Sequence, residues 1–273
     1  MNRNLRLVPT YLVLAIAFVV VCFPVGYAIL GSFMGPADIN SYPATLWPAH
    51  GWRLDNFAHA LATIPLGRQY LNSVVVASLI TIGQLATSVL AAYAFAFLPM
   101  RARRAWFAVF LVTMMIPAEA IIIPNFLTIS STGLINTVRA LVLPFTASGF
   151  GVFLLRQAFL GFPTELRDAA RIDGAGHLTF VWRILLPVVR PTIAALAIYS
   201  FLGAWNMYLW PLLVTQTPQM QTIQIGITQL RSADNFDGGM VLAGTLLAVL
   251  PTAALLIFGQ RLIVRGLTAG SLK

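Results

Sequence analysis

The sequence predicts an all-helical membrane protein: six transmembrane helices, with an amphipathic helix on the long loop between the fourth and fifth. Three observations predict it. The 273-residue chain is 59% hydrophobic and only 9% charged, against about 45–50% and about 25% in ordinary soluble domains. Six apolar runs reach the about 20 residues needed to cross a bilayer. The basic residues fall mostly on one side of the implied topology. The same composition excludes a disordered chain, which would be polar. A single cysteine, Cys22, inside an apolar run excludes a disulfide scaffold.

The first span covers residues 10–33. Its apolar stretch, from Leu12 to Leu30, exceeds the about 7–15 residues of a secretory signal core, so it reads as a retained helix. The second covers 70–98, the third 105–128, the fourth 140–160, the fifth 191–214 and the sixth 240–264. Pro24, Pro117, Pro144 and Pro251 fall inside these runs. Neighbouring helices tolerate such residues by re-satisfying the freed backbone groups. With no internal repeat and no extension of soluble-domain size, residues 1–273 read as one transmembrane domain.

Charge placement sets the orientation. With the N-terminus inside, all but four of the 17 Lys and Arg residues lie on the cytoplasmic side; the exceptions are Arg53, Arg68, Arg139 and Arg231. Both termini are therefore expected in the cytoplasm. The net charge of +9 is mainly this topology signal and makes no case for nucleic acid.

The inner loop 161–190 is the informative segment. Thr164 is a plausible N-cap, with Glu165 in the first turn of the helix that follows. Leu166, Ala169, Ala170 and Ile172 alternate with Arg167, Asp168, Arg171 and Asp173, and Gly174 and Gly176 close the helix. Small side chains allow close approach of a second protein, and flanking charges fix its register. An interfacial helix that merely joins two spans would share this pattern. Beyond it, Phe180, Trp182 and Ile184 to Leu186 form an apolar stretch leading to Pro187, expected to lie back on the membrane domain.

Spacing sharpens the reading. From Asp168 the chain runs Asp-Ala-Ala, three residues, Gly174, nine residues, then Ile184-Leu185-Leu186-Pro187. This resembles the EAA loop of ABC importer permeases, with Asp168 standing where that family usually has Glu. The charge is kept and the reach is one methylene shorter. The stretches Phe153 to Gln157, Gly203 to Leu213 and Gln260 to Gly270 resemble the same permeases, in their carbohydrate-uptake branch and its maltose-type second subunit.

The resemblance implies an ABC importer permease fold that forms half of a heterodimeric core with a second permease. It implies a coupling helix at about 164–175 seated on a dimer of cytosolic ATPase subunits, and an extracytoplasmic solute-binding protein. Carried onto this chain, the coupling residues are Glu165, Asp168, Ala169, Ala170, Asp173 and Gly174. The tail residues Thr268, Ala269 and Gly270 reach towards the ATPase dimer. The chain has no GxxxxGK[ST] phosphate loop, so it is expected to be non-catalytic, with ATP and Mg²⁺ held by the partner ATPase and no cofactor of its own. The setting implied is a bacterial inner membrane.

For the solute path, ionisable and aromatic groups inside spans are the candidates. Glu119 lies about 14 residues into the third run, roughly 21 Å deep at 1.5 Å per residue. Trp205 and Asn206 lie about as far into the fifth, with Tyr208 beside them. Rings stack on the C–H face of a polyol and amides bond its hydroxyls. Each also has a plainer reading: Glu119 as a packed or helix-end carboxyl, the aromatics as core or interface rings, Asn206 as a tie between helices. His50, His59 and His177 are scattered, so no metal site is expected, and no catalytic triad assembles. The segments around Glu119 and Trp205 to Pro211 look most similar to glycerol-3-phosphate permease subunits. That makes glycerol 3-phosphate or a glycerophosphodiester the expected solute, with a di- or oligosaccharide as the alternative and an ion-coupled secondary transporter as a remote one.

Overall fold

A computed structural model describes residues 7–231 and 237–268, with side chains over 9–231 and 237–262. Every regular element among the described residues is helical. Close packing divides the chain into two compact units, 1–67 with 225–250, and 68–224 with 251–273.

In the first unit, α1 (Leu7–Gly31) is apolar throughout its membrane-length window, none of which is buried. Pro24 sits inside it without ending it. A short turn, α2 (Pro36–Ile39), and α3 (Asp55–Thr63) follow. Asn56 ties the end of α1 to α3: its amide donates to the carbonyls of Ser32 and Met34, both at 2.9 Å. A Cβ on Gly239 would collide with that same Met34 carbonyl and with the Asn56 amide, so only glycine fits there. Asp38, 1% exposed, meets the His50 ring at 2.6 Å between Nδ1 and Oδ1. That hydrogen bond holds the Asp38 carboxyl below its ordinary pKa, against the opposing effect of burial.

The second unit begins in α4 (Leu66–Phe97), a 32-residue helix. Next come α5 (Arg103–Thr113), a 3₁₀ turn at Ala118–Ile121 and α6 (Ile122–Ser131). Pro117 adopts an extended conformation between them, and the pair is bent by 90°. Helix α7 (Val138–Val142) starts on Thr137, whose hydroxyl accepts from the Ala140 amide; α8 (Gly149–Leu160) starts on Ser148, whose hydroxyl accepts from Gly151. These caps satisfy donors that a helix start leaves orphaned. The 47° bend between α7 and α8 lies just after Pro144. Of the four prolines, Pro24 and Pro251 remain inside unbroken helices, whereas Pro117 and Pro144 fall at bends.

After α9 (Thr164–Ile172) come α10 (His177–Val188) and α11 (Arg190–Trp205), bent by 84° at Val189 between Pro187 and Pro191. Each proline removes a backbone donor from the ladder. Here the fifth span departs from expectation. The helix ends at Trp205, and the residues to 214 form a separate helix, α12 (Leu209–Val214). The partner of α11 in a span of adequate length is α10, which the sequence placed in a loop. Helices α13 (Ile223–Arg231) and α14 (Gly238–Thr268) complete the chain. Among the described residues, three helices are long and apolar enough to cross a membrane, and the count is six when each of the three bent pairs is one span.

Candidate functional site: the α9 coupling face and the α11 terminus

Helix α9 begins at Thr164 itself. Pro163 occupies the cap position and supplies no side-chain hydrogen bond, so the expected Thr164 cap is not formed. Pro163 is fixed near φ −58° and leads directly into the first turn. The helix ends at Ile172, three residues before the expected Ala175. Its end is a Schellman motif: the amide of Gly174 donates to the Arg171 carbonyl at 3.1 Å and that of Ala175 to Ala170 at 2.9 Å. Gly174 has φ +73°, a conformation costly for any residue with a Cβ.

The two alanines of the motif part ways. Ala170 is buried, in a cluster with Tyr93 of α4, Leu155 and Phe159 of α8, and Phe180, Val181 and Leu185 of α10. This anchors α9 to the membrane core through the apolar stretch expected to lie back on it, although Trp182 of that stretch is exposed. Arg167 lies over the Phe97 ring, 5.2 Å from its centre. The opposite face carries Glu165, Asp168, Ala169 and Asp173, all exposed. Ile172 stands among them at 87% exposure, an uncovered apolar side chain at the centre of a charged rim. Sequence reading counted Ile172 as an apolar position without singling it out; its i, i+3 spacing from Ala169 was the available signal. No atom lies within 4 Å of where a Gly174 Cβ would point. Thr268 is the last described residue of α14; its side chain, Ala269 and Gly270 lie outside the described residues.

The other candidates gather around the end of α11. Trp205 is 1% exposed. Its ring stacks on Phe201 at 5.9 Å and meets Tyr70 edge-on at 5.3 Å. Asn206 is exposed, anchored by its amide to the Leu202 carbonyl at 2.8 Å, and its Oδ1 accepts from Gln224 at 3.4 Å. Tyr208 is half-buried in the break before α12. Phe201 precedes Trp205 by one helical turn of α11, an i, i+4 spacing legible in the sequence; Tyr70 and Gln224 belong to this group from other helices, which periodicity could not reveal. A strap over the start of α4 holds the region. Asn72 donates to the carbonyls of Gln219 and Gln221, at 2.7 and 2.9 Å, and the Ile223 amide donates to the Ser73 hydroxyl at 2.8 Å.

Glu119 is exposed in the 3₁₀ turn between α5 and α6 and, among the described residues, makes no side-chain hydrogen bond or ion pair. The depth reckoned along a continuous third helix does not hold, because the 90° bend intervenes. The structure therefore groups Trp205 with Asn206, and Glu119 stands outside their contacts. Of the basic residues outside the cytoplasmic set, Arg53 is paired with Asp55, which holds the guanidinium above its ordinary pKa and the carboxyl below. Arg68 and Arg231 are exposed.

A helical chain of apolar spans with a short, exposed helix braced against them has the architecture of an ABC importer permease, a non-catalytic subunit served by a separate ATPase. Residues 85–268 match the family described as the binding-protein-dependent transport system inner membrane component, and the chain belongs to that family. It is similar to the sn-glycerol-3-phosphate transport system permease protein UgpE of Rhizobium meliloti (strain 1021), 38% identical over 94% of each chain. The corresponding protein of Yersinia pestis bv. Antiqua (strain Antiqua) is 34% identical over 94% of each. The lactose transport system permease protein LacG of Rhizobium radiobacter is 37% identical over 100% of this chain and 98% of its own. A solved bacterial ABC transporter involved in the import of the acidic polysaccharide alginate has the same fold, with a TM-score of 0.85 at 19% identity over 96% of this chain and 98% of its own.

Proposed function

We propose that the chain is one half of the translocation pathway of an importer for glycerol 3-phosphate or its glycerophosphodiesters, driven by a cytosolic ATPase dimer that binds ATP and Mg²⁺. The observation that carries the coupling role is α9: Ala170 fastens it to the membrane core while Glu165, Asp168, Ala169 and Ile172 face away from it. A rigid strut with one face anchored and the other free can transmit movement of a docked partner into α4, α8 and α10, the helices that share its core. In this reading Ile172 and Ala169 enter a cleft on the ATPase, the surrounding carboxylates set register, and Thr268, Ala269 and Gly270 make a second contact. A second permease and an external binding protein complete the assembly, in a bacterial inner membrane with both termini cytoplasmic.

At the solute end, Asn206, held by Leu202 and Gln224, offers amide groups to hydroxyls, with Tyr208 two residues on; Glu119, apart from this group, is a separate candidate contact on the path. Trp205 acts from behind as the packed base that positions Asn206. The lactose permease relative favours a second reading, a disaccharide solute.

Both readings are separated in proteoliposomes holding the complete importer and its binding protein, with ATP inside. Uptake of labelled glycerol 3-phosphate or glycerophosphocholine that unlabelled lactose does not compete supports the first. Lactose uptake without glycerol 3-phosphate uptake supports the second, and uptake independent of ATP would overturn both.

A further inference from the structure

Two cavities flank the Tyr93–His177 pair of the second unit. One, of about 400 Å³, has a mixed lining that includes basic groups: Arg167, Arg171 and His177 stand around it, with Phe97 and Pro99 behind. The other, of about 340 Å³, is an apolar groove between α4 and α10, walled by Ile82, Leu90, Leu178, Val181 and Trp182. Tyr93 and His177 line both, joined by a 2.6 Å hydrogen bond between the tyrosine hydroxyl and ring Nδ1. With the hydroxyl as donor, the proton of a neutral His177 ring sits on Nε2, where it can donate to an anion.

The dimensions match one bilayer leaflet. Along α4 the groove runs from Ile82 to Tyr93, eleven residues or about 16 Å of helix rise. That is about half the roughly 30 Å hydrocarbon core. The groove ends one turn before α4 does, where a span meets the headgroup layer, and the basic cavity opens beyond that level. Leu90, Leu178 and Trp182 are exposed, so the chain itself leaves the groove uncovered.

We propose that this pair of cavities binds an anionic phospholipid, with an acyl chain along α4 and the phosphate held by Arg167, Arg171 and His177. Guanidinium groups pair with phosphate through parallel N–H donors, and basic pockets beside spans at one leaflet recognise anionic headgroups. Phe97 stacks under Arg167 and presets its direction. Since Arg167 and Arg171 belong to α9, the lipid would brace the same helix whose outer face is the coupling surface, and so link membrane charge to transport.

The test is native mass spectrometry of the purified importer, delipidated and titrated with phosphatidylglycerol against phosphatidylcholine of the same chains. The expected result is retention of phosphatidylglycerol over phosphatidylcholine by roughly tenfold or more. R167Q/R171Q should lose the preference yet still retain lipid, and Leu90→Trp, which fills the groove and leaves the charges alone, should lose both lipids. Intact subunit stoichiometry shows that each variant folds. Equal retention of the two lipids by the native importer, or an unchanged preference in R167Q/R171Q, overturns the proposal. So does a groove that holds neither lipid while a Leu90→Cys variant crosslinks to the second permease, since a protein helix then fills it.

Discussion

Gly174 combines two constraints that substitution can separate. Its φ of +73° disfavours any Cβ, while no neighbouring atom of this chain opposes one. Gly174→Ala is expected to cost about 1 kcal/mol of stability from the backbone alone. Gly174→Asn should cost less, because Asn tolerates this conformation. If the open side is a docking surface, Gly174→Asn nevertheless lowers ATP-driven transport while the melting temperature stays within a few degrees; parallel loss of both would make the glycine purely conformational. Asp38 gives a pH prediction. Its carboxyl pKa is lowered in the fold by His50, so its contribution to stability is complete above the unfolded value of about 3.9 and is lost as pH falls through the lower folded value. Limited proteolysis of the segment between α1 and α3 should be slow at pH 7 and accelerate below about pH 4. His50→Ala should weaken that acid response. The need for Gly174 was legible in the sequence because helix ends favour glycine. The burial of Asp38 was not, because its partner lies twelve residues away in an irregular loop.

At the scale of the element, α9 tests how far a motif defines a surface. Ala169 and Ala170 are adjacent in the EAA-like run and were expected to act together. One helical step of about 100° places Ala170 in the core and Ala169 outside. Ala170→Leu should therefore destabilise the permease by about 1–3 kcal/mol through overpacking. Ala169→Leu should leave its thermal stability unchanged and reduce coupled ATP hydrolysis. Equal loss of stability in both would mean that the two residues share one environment. The existence of α9 was readable because its charges and small residues keep helical spacing. Which alanine faces the core was not, because that depends on Phe159 and Phe180 from other helices. The fifth span shows the same limit. The run from 191 to 214 is predominantly apolar, and one strongly polar residue, Asn206, is too weak a signal to place the helix stop at Trp205. The stop comes with tertiary ties: the Trp210 indole donates to the Ala140 carbonyl at 3.0 Å, and the Asn136 amide donates to Val214 at 2.7 Å. These hold α12 on its own axis.

For the whole molecule, composition and charge placement were sufficient to give a multi-span helical membrane protein, since no soluble surface can be built from 9% charged residues. The bends within the spans were less legible. Proline marks where a break can occur, and neighbouring helices decide whether it does: Pro24 and Pro251 lie within continuous helices, while Pro117 and Pro144 lie at bends. The proposed solute end depends on such tertiary detail most of all, as Tyr70 and Gln224 meet Trp205 and Asn206 from distant segments. Asn206→Ala should lower solute-stimulated ATP hydrolysis while leaving assembly intact. Trp205→Ala should reduce stability by about 3–5 kcal/mol, as truncation of a buried ring does. The opposite pattern would move the solute contact from the amide to the ring.

In the proposed assembly the exposed face of α9 docks on the ATPase. A cysteine at Ala169 in a Cys22→Ser background, crosslinked in the assembled importer, reports on that contact. The expected result is a disulfide or short-linker product joining this chain to the ATPase, abolished when Ile172 is replaced by Asp and the partners separate. An importer that retains its ATPase yet crosslinks at Ala169 only to a second permease, or to no protein at all, would contradict it.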